Sequence, residues 1–325
     1  HAKVAMPGGC NFGGVRPIDF HLKGFARLGA EISNDNGMVD AKAQSLTGTT
    51  IYFDKVSVGA TINLMLASVK ARGLTILENA AKEPHIVDLA NFLNLMGAQV
   101  TGAGTDVIKI RGVEKLHGCS YSIIPDQIEA GTYMVAVAAA KGNVLIKNVI
   151  PKHLESITTK LRECGVTVEE YEDSVRVISN RRYDACKVTA TPHPGFPTDM
   201  QPQMTTFLSI CNGTSIVTDS VWDNRFRYVD QLIRMGASIQ IEGKAAIITG
   251  VEKLQAAPIK ADDLRAGAAM LIAGMCAHGT TQIEEIIHIE RGYENVVEKL
   301  RGIGAHISKV NFPDDAGETI VGNAG

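Results

Sequence analysis

The chain has 325 residues, a formal net charge of −3, 45% hydrophobic residues and 21% charged residues. This composition is typical of a globular protein with substantial cores, and the near-neutral charge gives no indication of a nucleic-acid-binding surface. No run of about 20 apolar residues predicts a membrane span. The six cysteines contain no CxxC pair, which favours a reducing, cytoplasmic setting.

An internal repeat organises the chain. A helix-like pattern ends five times in an apolar residue, a glycine and a small residue, and a second glycine series follows the same period. The first series is Gly29, Gly97, Gly165, Gly236 and Gly304, and the second is Gly73, Gly142, Gly213 and Gly279. Because the period is about 68 residues, longer than that of usual solenoid repeats, we expect compact domains rather than a long array.

Each repeat is predicted to contain strand, helix, strand, helix and strand. In the clearest copy, a helix runs from Gly59 to Gly73, where a left-handed glycine ends it. Residues 74–77 alternate as a strand, residues 79–84 form a polar loop, and residues 86–96 carry apolar side chains at helical spacing before a strand that starts at Gln99. The same order is predicted in residues 131–168, 200–241 and 267–308.

Two domains are the natural division for this length. The boundary is placed at Ile124, where an alternating strand meets Pro125 just before a new helix pattern. The prediction is therefore a first domain of residues 1–124 and a second of residues 125–325. Residues from about 310 onward are expected to form a flexible C-terminal tail.

Chemically reactive residues gather in the loops that precede the helices. Helix N-termini present free N–H groups and a positive dipole end, and arginine suits bidentate binding of carboxylate or phosphate. Any single arginine fits a solvated surface position. The recurrence of arginine at matching phases instead predicts a ligand with several negative charges; the residues are Arg16, Arg225, Arg265 and Arg291.

Two further side chains are candidate proton donors or acceptors. Cys10 lies in a glycine-rich loop with Arg16 nearby, where a thiol becomes reactive; the alternative is an inert small hydrophobic residue. Asp199 fits either a helix N-cap or a catalytic carboxylate. The histidines show no metal-ligand spacing, so no metal is expected, and neither a dinucleotide fingerprint nor a P-loop is present.

Taken together, these loops resemble the UDP-N-acetylglucosamine 1-carboxyvinyltransferases, enolpyruvyl transferases of peptidoglycan synthesis. The resemblance covers residues 1 to about 309, with its motifs in order. They are PGGC at 7–10, RPID at 16–19, DKVSVGA at 54–60, ENAAKEP at 78–84, FPTDMQ at 196–201, NRF at 224–226, DLRA at 263–266 and RGYE at 291–294. The resemblance implies an α/β fold of two inside-out α/β barrels, each built from three repeats.

The resemblance also implies a reaction and a set of site residues. The enolpyruvyl group of phosphoenolpyruvate passes to the 3-hydroxyl of UDP-N-acetylglucosamine, phosphate is released, and no cofactor is required. Cys10 would be the acid and Asp199 the base. Phosphoenolpyruvate would bind Arg16, Arg225, Arg265 and Arg291. UDP-sugar contacts would come from Arg16, Pro17, Ile18, Asp19, Phe20, Lys55, Val56, Ser57, Val58, Gly59, Asp199 and Val221.

The family pattern differs from this chain in two places. One residue more than the family has separates Cys10 from Arg16, and only five repeats are present, so an incomplete first domain is expected. Two alternative functions follow: a non-catalytic UDP-sugar-binding form, and 3-phosphoshikimate 1-carboxyvinyltransferase, against which the Cys10 loop and the RPID segment argue. The sequence gives no indication of oligomeric state.

Overall fold

The chain forms two compact units. The computed structural model describes residues 1–6, 17–35, 37–311 and 318–323. The first unit holds the described residues up to Ile124 together with Pro192–Pro194. The second holds Pro125–Thr191 and the described residues from Gly195 onward. The sequence patterns did not predict that Pro192–Pro194 group with the first unit.

The described residues of the first unit form two sheets and three helices. Strands β1, β3 and β2 form an antiparallel sheet in that order, and a second sheet has the order β4-β5-β7-β6, in which only the β4–β5 pair is parallel. The elements are β1 (Ala2–Ala5), α1 (Asp19–Arg27), β2 (Glu31–Asp35), β3 (Met38–Lys42), β4 (Thr50–Tyr52), α2 (Val58–Ser68), β5 (Leu74–Glu78), α3 (Pro84–Leu95), β6 (Gln99–Thr101) and β7 (Val107–Arg111).

The second unit begins with three strands and two helices and continues through two further α/β segments. Short 3-10 helices at Pro151–Leu154 and Thr198–Met200 lead directly into α5 and α6. The elements are α4 (Gln127–Ala140), β8 (Asn143–Lys147), α5 (Glu155–Glu163), β9 (Thr167–Glu170), β10 (Ser174–Ile178), β11 (Lys187–Ala190), α6 (Gln201–Leu208), β12 (Thr214–Asp219), α7 (Val229–Arg234), β13 (Ser238–Glu242), β14 (Ala245–Thr249), β15 (Leu254–Gln255), β16 (Pro258–Lys260), α8 (Leu264–Cys276), β17 (Ala277–His278), β18 (Thr280–Glu284), α9 (Ile287–Glu290), α10 (Val296–Gly302), β19 (His306–Asn311) and β20 (Glu318–Asn323).

All five glycines of the first series end a helix in the same way. Gly29 has a φ of +98°; its N–H donates to the carbonyl of Ala26, and the N–H of Ala30 donates to that of Phe25. This pair of bonds is the Schellman motif, which places a residue in the left-handed region where glycine has no steric penalty. The other four copies repeat both bonds, at Gly97, Gly165, Gly236 and Gly304. The predicted internal repeat is therefore confirmed at the level of backbone hydrogen bonds.

The predicted repeat needs two corrections. Each copy ends in a hairpin, so β7, β14 and β20 add a strand beyond the five predicted elements. Gly73 is left-handed, with a φ of +89°, but the preceding helix already ends at Ser68. Gly73 therefore shapes the turn into β5 rather than capping α2. In the next copy the left-handed residue is Lys141, with a φ of +59°, one position before Gly142.

Three buried helices form the centre of the second unit. Helices α4, α6 and α8 contact one another, and each packs on its own sheet. Every residue of α6 is buried, and α4 and α8 are buried along most of their length. Such helices lack a solvent-facing stripe, as a central position requires. The packing is tight: a Cβ added to Gly131 would lie 2.6 Å from Cδ1 of Ile157. This arrangement of helices inside and sheets outside confirms the expected α/β fold class.

The expectation of a flexible tail from about residue 310 is wrong for residues 318–323, which form strand β20. Strand β20 pairs with β18 and β19 and completes a four-stranded sheet of order β16-β18-β20-β19. Ile320 is fully buried in the core of the second unit, which explains why this segment joins the sheet. The same strand order recurs in β4-β5-β7-β6 and in β11-β12-β14-β13, so the C-terminal strand completes a repeat.

Candidate active site

Acidic or hydroxyl side chains cap the helices at the repeat phase where the candidate residues gather. Asp126 accepts hydrogen bonds from the backbone of Ile128 at 2.7 Å, and Asp263 accepts from Ala266 at 3.0 Å. Ser57 accepts from Ala60 at the start of α2. These caps satisfy free N–H groups of the first turn. Asp199 lies at the equivalent position before α6, so the same kind of capping bond would be expected there.

Asp199 binds two arginines and does not cap its helix. Its side chain makes no capping hydrogen bond, although it lies in the 3-10 turn that leads into α6. Instead, its Oδ1 accepts from Nη2 of Arg225 at 2.7 Å and its Oδ2 accepts from Nη2 of Arg265 at 3.1 Å. Of the two readings that the sequence allowed, the N-cap is therefore wrong. Two candidate anion-binding arginines meet on one carboxylate.

The three charged side chains differ in exposure. The Arg225 side chain is 3% exposed, that of Arg265 is 15% exposed, and that of Asp199 is 39% exposed. Removing a guanidinium from water is costly unless a charge partner and hydrogen bonds compensate it. Asp199 provides that compensation for both arginines. Because the carboxylate remains in contact with solvent, it lies on the accessible side of the cluster.

The cluster changes the acidity of Asp199. Burial by itself raises the pKa of the Asp199 carboxyl, but the positive charges of Arg225 and Arg265, and the hydrogen bonds from both, outweigh that effect and hold the pKa below its ordinary value. Asp199 is therefore a carboxylate at neutral pH. In this state it serves as the counter-ion of the arginines and is a weak base.

Arg265 has a second protein partner that the sequence did not identify. Its Nη1 donates to the hydroxyl of Tyr293 at 3.2 Å, and that hydroxyl lies 2.9 Å from Oγ1 of Thr132. Tyr293 belongs to the RGYE motif. Its local sequence pattern gives no indication of a contact with Arg265, which lies 28 positions earlier. Arg291, from the same motif, lies in the wall of a cavity of about 620 Å³ that Tyr293 also lines.

Val221 is placed near the arginine cluster by an aspartate that sequence reasoning missed. Asp219, at the end of β12, is fully buried; it accepts from the backbone N–H of Val221 at 2.9 Å and from the hydroxyl of Thr198 at 2.6 Å. Thr198 directly precedes Asp199, so Asp219 ties the Val221 turn to the Asp199 loop. The sequence signal that could have identified Asp219 is its position as a polar residue at the carboxyl end of a strand, followed by Ser220.

The predicted UDP-sugar residues of the first unit come together at two helix starts. Residues 17–20 lead into α1, residues 55–59 lead into α2, and the two helices pack on each other. Nδ1 of His21 in α1 accepts a hydrogen bond from Nδ2 of Asn63 at 2.8 Å, and the His21 ring lies 3.1 Å from where a Cβ on Gly59 would be. The segments are thus neighbours in space. Cys10 and Arg16 lie outside the described residues.

Within the described residues, no group of three or more His, Cys, Asp or Glu is arranged to hold a metal ion. None of the helices among these same residues combines the length and apolar character that crossing a bilayer demands.

Comparison with known proteins identifies the relatives of this chain. Residues 1–300 match a family described as EPSP synthase (3-phosphoshikimate 1-carboxyvinyltransferase). UDP-N-acetylglucosamine 1-carboxyvinyltransferase 2 of Clostridium acetobutylicum is 59% identical over 308 residues, which are 95% of this chain and 73% of the relative. A protein of the same name from Geobacillus kaustophilus is 54% identical over 319 residues, covering 98% and 74%.

Two solved structures share the fold. The enolpyruvyl transferase NikO from Streptomyces tendae superposes with a TM-score of 0.83 at 25% identity, over 93% of this chain and 72% of that one. EPSP synthase from Acinetobacter baumannii gives a TM-score of 0.70 at 19% identity over 89% and 71%, a likeness that concerns the fold alone. The architecture built from the repeats is therefore the enolpyruvyl transferase fold.

Proposed function

Because the chain belongs to the UDP-N-acetylglucosamine 1-carboxyvinyltransferase family of enolpyruvyl transferases, we propose that it transfers the enolpyruvyl group of phosphoenolpyruvate to the 3-hydroxyl of UDP-N-acetylglucosamine and releases phosphate. The geometric observation that carries the proposal is the pairing of Arg225 and Arg265 on Asp199. It combines a site for a small polyanion with a carboxylate that can accept a proton. The reaction would belong to peptidoglycan synthesis.

We assign the nucleotide sugar to residues 17–20 and 55–59 of the first unit from the family resemblance. The start of α2 offers the backbone N–H groups and positive dipole end that favour a diphosphate, with the charge of Lys55 nearby in sequence. The adjoining residues 17–20 contribute the apolar side chains of Pro17, Ile18 and Phe20 against a base or sugar. We assign Arg16 to the same segment from the family resemblance.

Phosphoenolpyruvate is assigned to Arg225, Arg265 and Arg291. The first two present guanidinium groups whose fork geometry suits carboxylate and phosphate. Asp199 accepts one hydrogen bond from each of these two arginines. An incoming anion competes with Asp199 for those donors. As the arginines turn to the ligand, the carboxylate loses the interactions that lower its pKa, and it becomes a stronger base beside the sugar hydroxyl.

The chemical steps balance with one acid and one base. A proton is added to the methylene carbon of phosphoenolpyruvate, and the sugar 3-oxygen forms a bond to the adjacent carbon as its own proton leaves to Asp199. Loss of a methyl proton then restores the double bond as the carbon–oxygen bond to phosphate breaks. We assign the first proton delivery to Cys10 on the strength of the family resemblance. Holding both substrates in place removes about 7–11 kcal/mol of barrier in favourable cases.

The related reaction on 3-phosphoshikimate has less support. The relatives at 54–59% identity are UDP-N-acetylglucosamine enzymes, whereas the EPSP synthase structure shares 19% identity. We also propose a cytoplasmic location. With a role in peptidoglycan synthesis, we propose roles in cell wall biogenesis, cell shape, the cell cycle and cell division.

Phosphate release tests the proposal. The chain is incubated with phosphoenolpyruvate alone, with UDP-N-acetylglucosamine added, and with shikimate 3-phosphate added. Release that requires UDP-N-acetylglucosamine supports the transferase. Release that requires shikimate 3-phosphate supports the related enzyme. Absence of release, together with a fluorescence response of Trp222 to UDP-N-acetylglucosamine, would indicate the non-catalytic binding form.

A further inference from the structure

A buried polar network extends from Arg265 into the core of the second unit. The hydroxyl of Tyr293 lies 3.2 Å from Nη1 of Arg265 and 2.9 Å from Oγ1 of Thr132. Oγ1 of Thr132 also receives a bond from Nε2 of Gln203 at 3.0 Å. We call these four side chains the Tyr293 network. It joins α4, α6 and α8, the three central helices, to the segment after α9.

The direction of each hydrogen bond follows from counting donors. Oγ1 of Thr132 lies 2.8 Å from the carbonyl of Ile128, which can only accept, so the single threonine proton is used there. Thr132 must then accept from both Gln203 and Tyr293. Tyr293 donates its only proton to Thr132 and is left with an acceptor oxygen toward Arg265. The network thus presents a hydrogen-bond acceptor to the guanidinium and nothing that repels it.

Burial fixes this pattern of hydrogen bonds, because each buried polar group needs a partner. Tyr293 is 2% exposed, and Gln203 is fully buried. A polar group left without a partner in such surroundings costs more than the same group at the surface. Burial also raises the pKa of the Tyr293 hydroxyl, so it retains the proton that it donates to Thr132. The hydroxyl consequently has one stable role, which is to accept from Arg265.

We propose that Tyr293 is the positioning residue for Arg265, and that Thr132 fixes the Tyr293 hydroxyl in its accepting orientation. The inference rests on the proposed function, in which Arg265 binds phosphoenolpyruvate. Of the five N–H donors of a guanidinium, the bonds to Tyr293 and Asp199 use two. When the substrate anion competes with Asp199, Tyr293 is the anchor that remains. Its removal should therefore weaken the binding of the anion and leave the UDP-sugar unaffected.

The test compares Tyr293→Phe with a matched pair at position 132. Phe keeps the ring and removes only the hydroxyl. Thr132→Val removes the acceptor for Tyr293 at nearly constant volume, and Thr132→Ser retains it. The measurements are KM for phosphoenolpyruvate, the dissociation constant for inorganic phosphate, and UDP-N-acetylglucosamine binding followed by Trp222 fluorescence. Unfolding temperatures identify variants whose fold is disturbed.

The expected result is a rise of about tenfold in both phosphoenolpyruvate KM and the phosphate dissociation constant for Tyr293→Phe, as for loss of one bond to a charged group. Thr132→Val should follow it, while Thr132→Ser and all UDP-sugar affinities stay near wild type. Unchanged KM and phosphate affinity in Tyr293→Phe would overturn the inference. If wild type binds phosphate but shows no turnover, the proposed function fails, and the phosphate affinities alone decide the role of Tyr293.

Discussion

Nη2 of Arg225 donates to Oδ1 of Asp199 at 2.7 Å, from a side chain that is 3% exposed to one that is 39% exposed. A buried cation thus depends on a carboxylate that solvent can reach. A substrate anion that approaches the same side would compete with Asp199 for the guanidinium. We propose that Asp199 acts first as the counter-ion of Arg225 and then as the base.

Asp199→Asn separates these roles. The amide cannot accept a proton from the sugar hydroxyl, so we expect kcat to fall by about 10²–10⁴-fold, the range for loss of a general base. Because the substitution removes a negative charge from the arginines, the phosphoenolpyruvate KM should not rise. Steady-state kinetics measure both values. Asp230→Asn, at an exposed position of α7, is the control and should keep wild-type kinetics. Wild-type kcat in Asp199→Asn would exclude the role as base.

The pH dependence of stability should report the same ion pairs. The pKa of Asp199 is lower in the folded than in the unfolded protein, so its contribution to the free energy of unfolding is fully present above the unfolded value of about 3.9. The contribution is lost as pH falls from that value through the lower folded pKa. The difference in Tm between wild type and Asp199→Asn, measured from pH 7 to pH 2, should therefore shrink only below about pH 4. A difference that is constant across this range would contradict the assignment.

Cys10→Ala should abolish turnover and leave UDP-sugar binding intact, because it removes a proton donor and little contact area. We expect kcat to fall by about 10²–10⁴-fold, as for loss of a general acid. Fluorescence of Trp222 checks that UDP-N-acetylglucosamine still binds. Cys119, which is exposed, provides the control substitution to Ala and should keep wild-type rates. Retained turnover in Cys10→Ala would remove Cys10 from the mechanism.

The repeat glycines make a stability prediction independent of function. Gly304 has a φ of +103°, and no atom lies within 4 Å of an added Cβ, so Gly304→Ala tests the left-handed backbone alone. It should lower the free energy of unfolding by about 1–2 kcal/mol. Gly302 ends α10 with equally open space, and Gly302→Ala should be neutral or stabilising by up to about 1 kcal/mol. Chemical denaturation measures both; equal effects would show that φ at Gly304 is not the cause.

Features set by local sequence were predictable. The left-handed turns at Gly29 and Gly304 need glycine for a steric reason that acts within one turn, and helical and alternating patterns located α3 and β5. Motif order also pointed to Arg225 and Arg265. These signals come from neighbouring residues, so the sequence displays them directly.

Features set by distant contacts were not predictable in the same way. The choice between cap and ion pair for Asp199 depends on an arginine 66 positions later. Thr132 and Tyr293 are 161 positions apart. From local sequence, Thr132 is an ordinary helix residue and Tyr293 is the aromatic residue of the RGYE motif, so neither pattern indicates their contact. A tail was predicted at the C-terminus because these residues extend beyond the family resemblance. The burial of Ile320 depends on the pairing of its strand with β18, which is distant in sequence.

The most direct test of the central claim is the proton NMR spectrum of UDP-N-acetylglucosamine after incubation with phosphoenolpyruvate and this chain. The account predicts new vinyl signals from an enolpyruvyl group bonded through the sugar 3-oxygen, accompanied by free phosphate. An unchanged sugar nucleotide, under conditions where Trp222 fluorescence shows that it is bound, would contradict the assignment as a transferase.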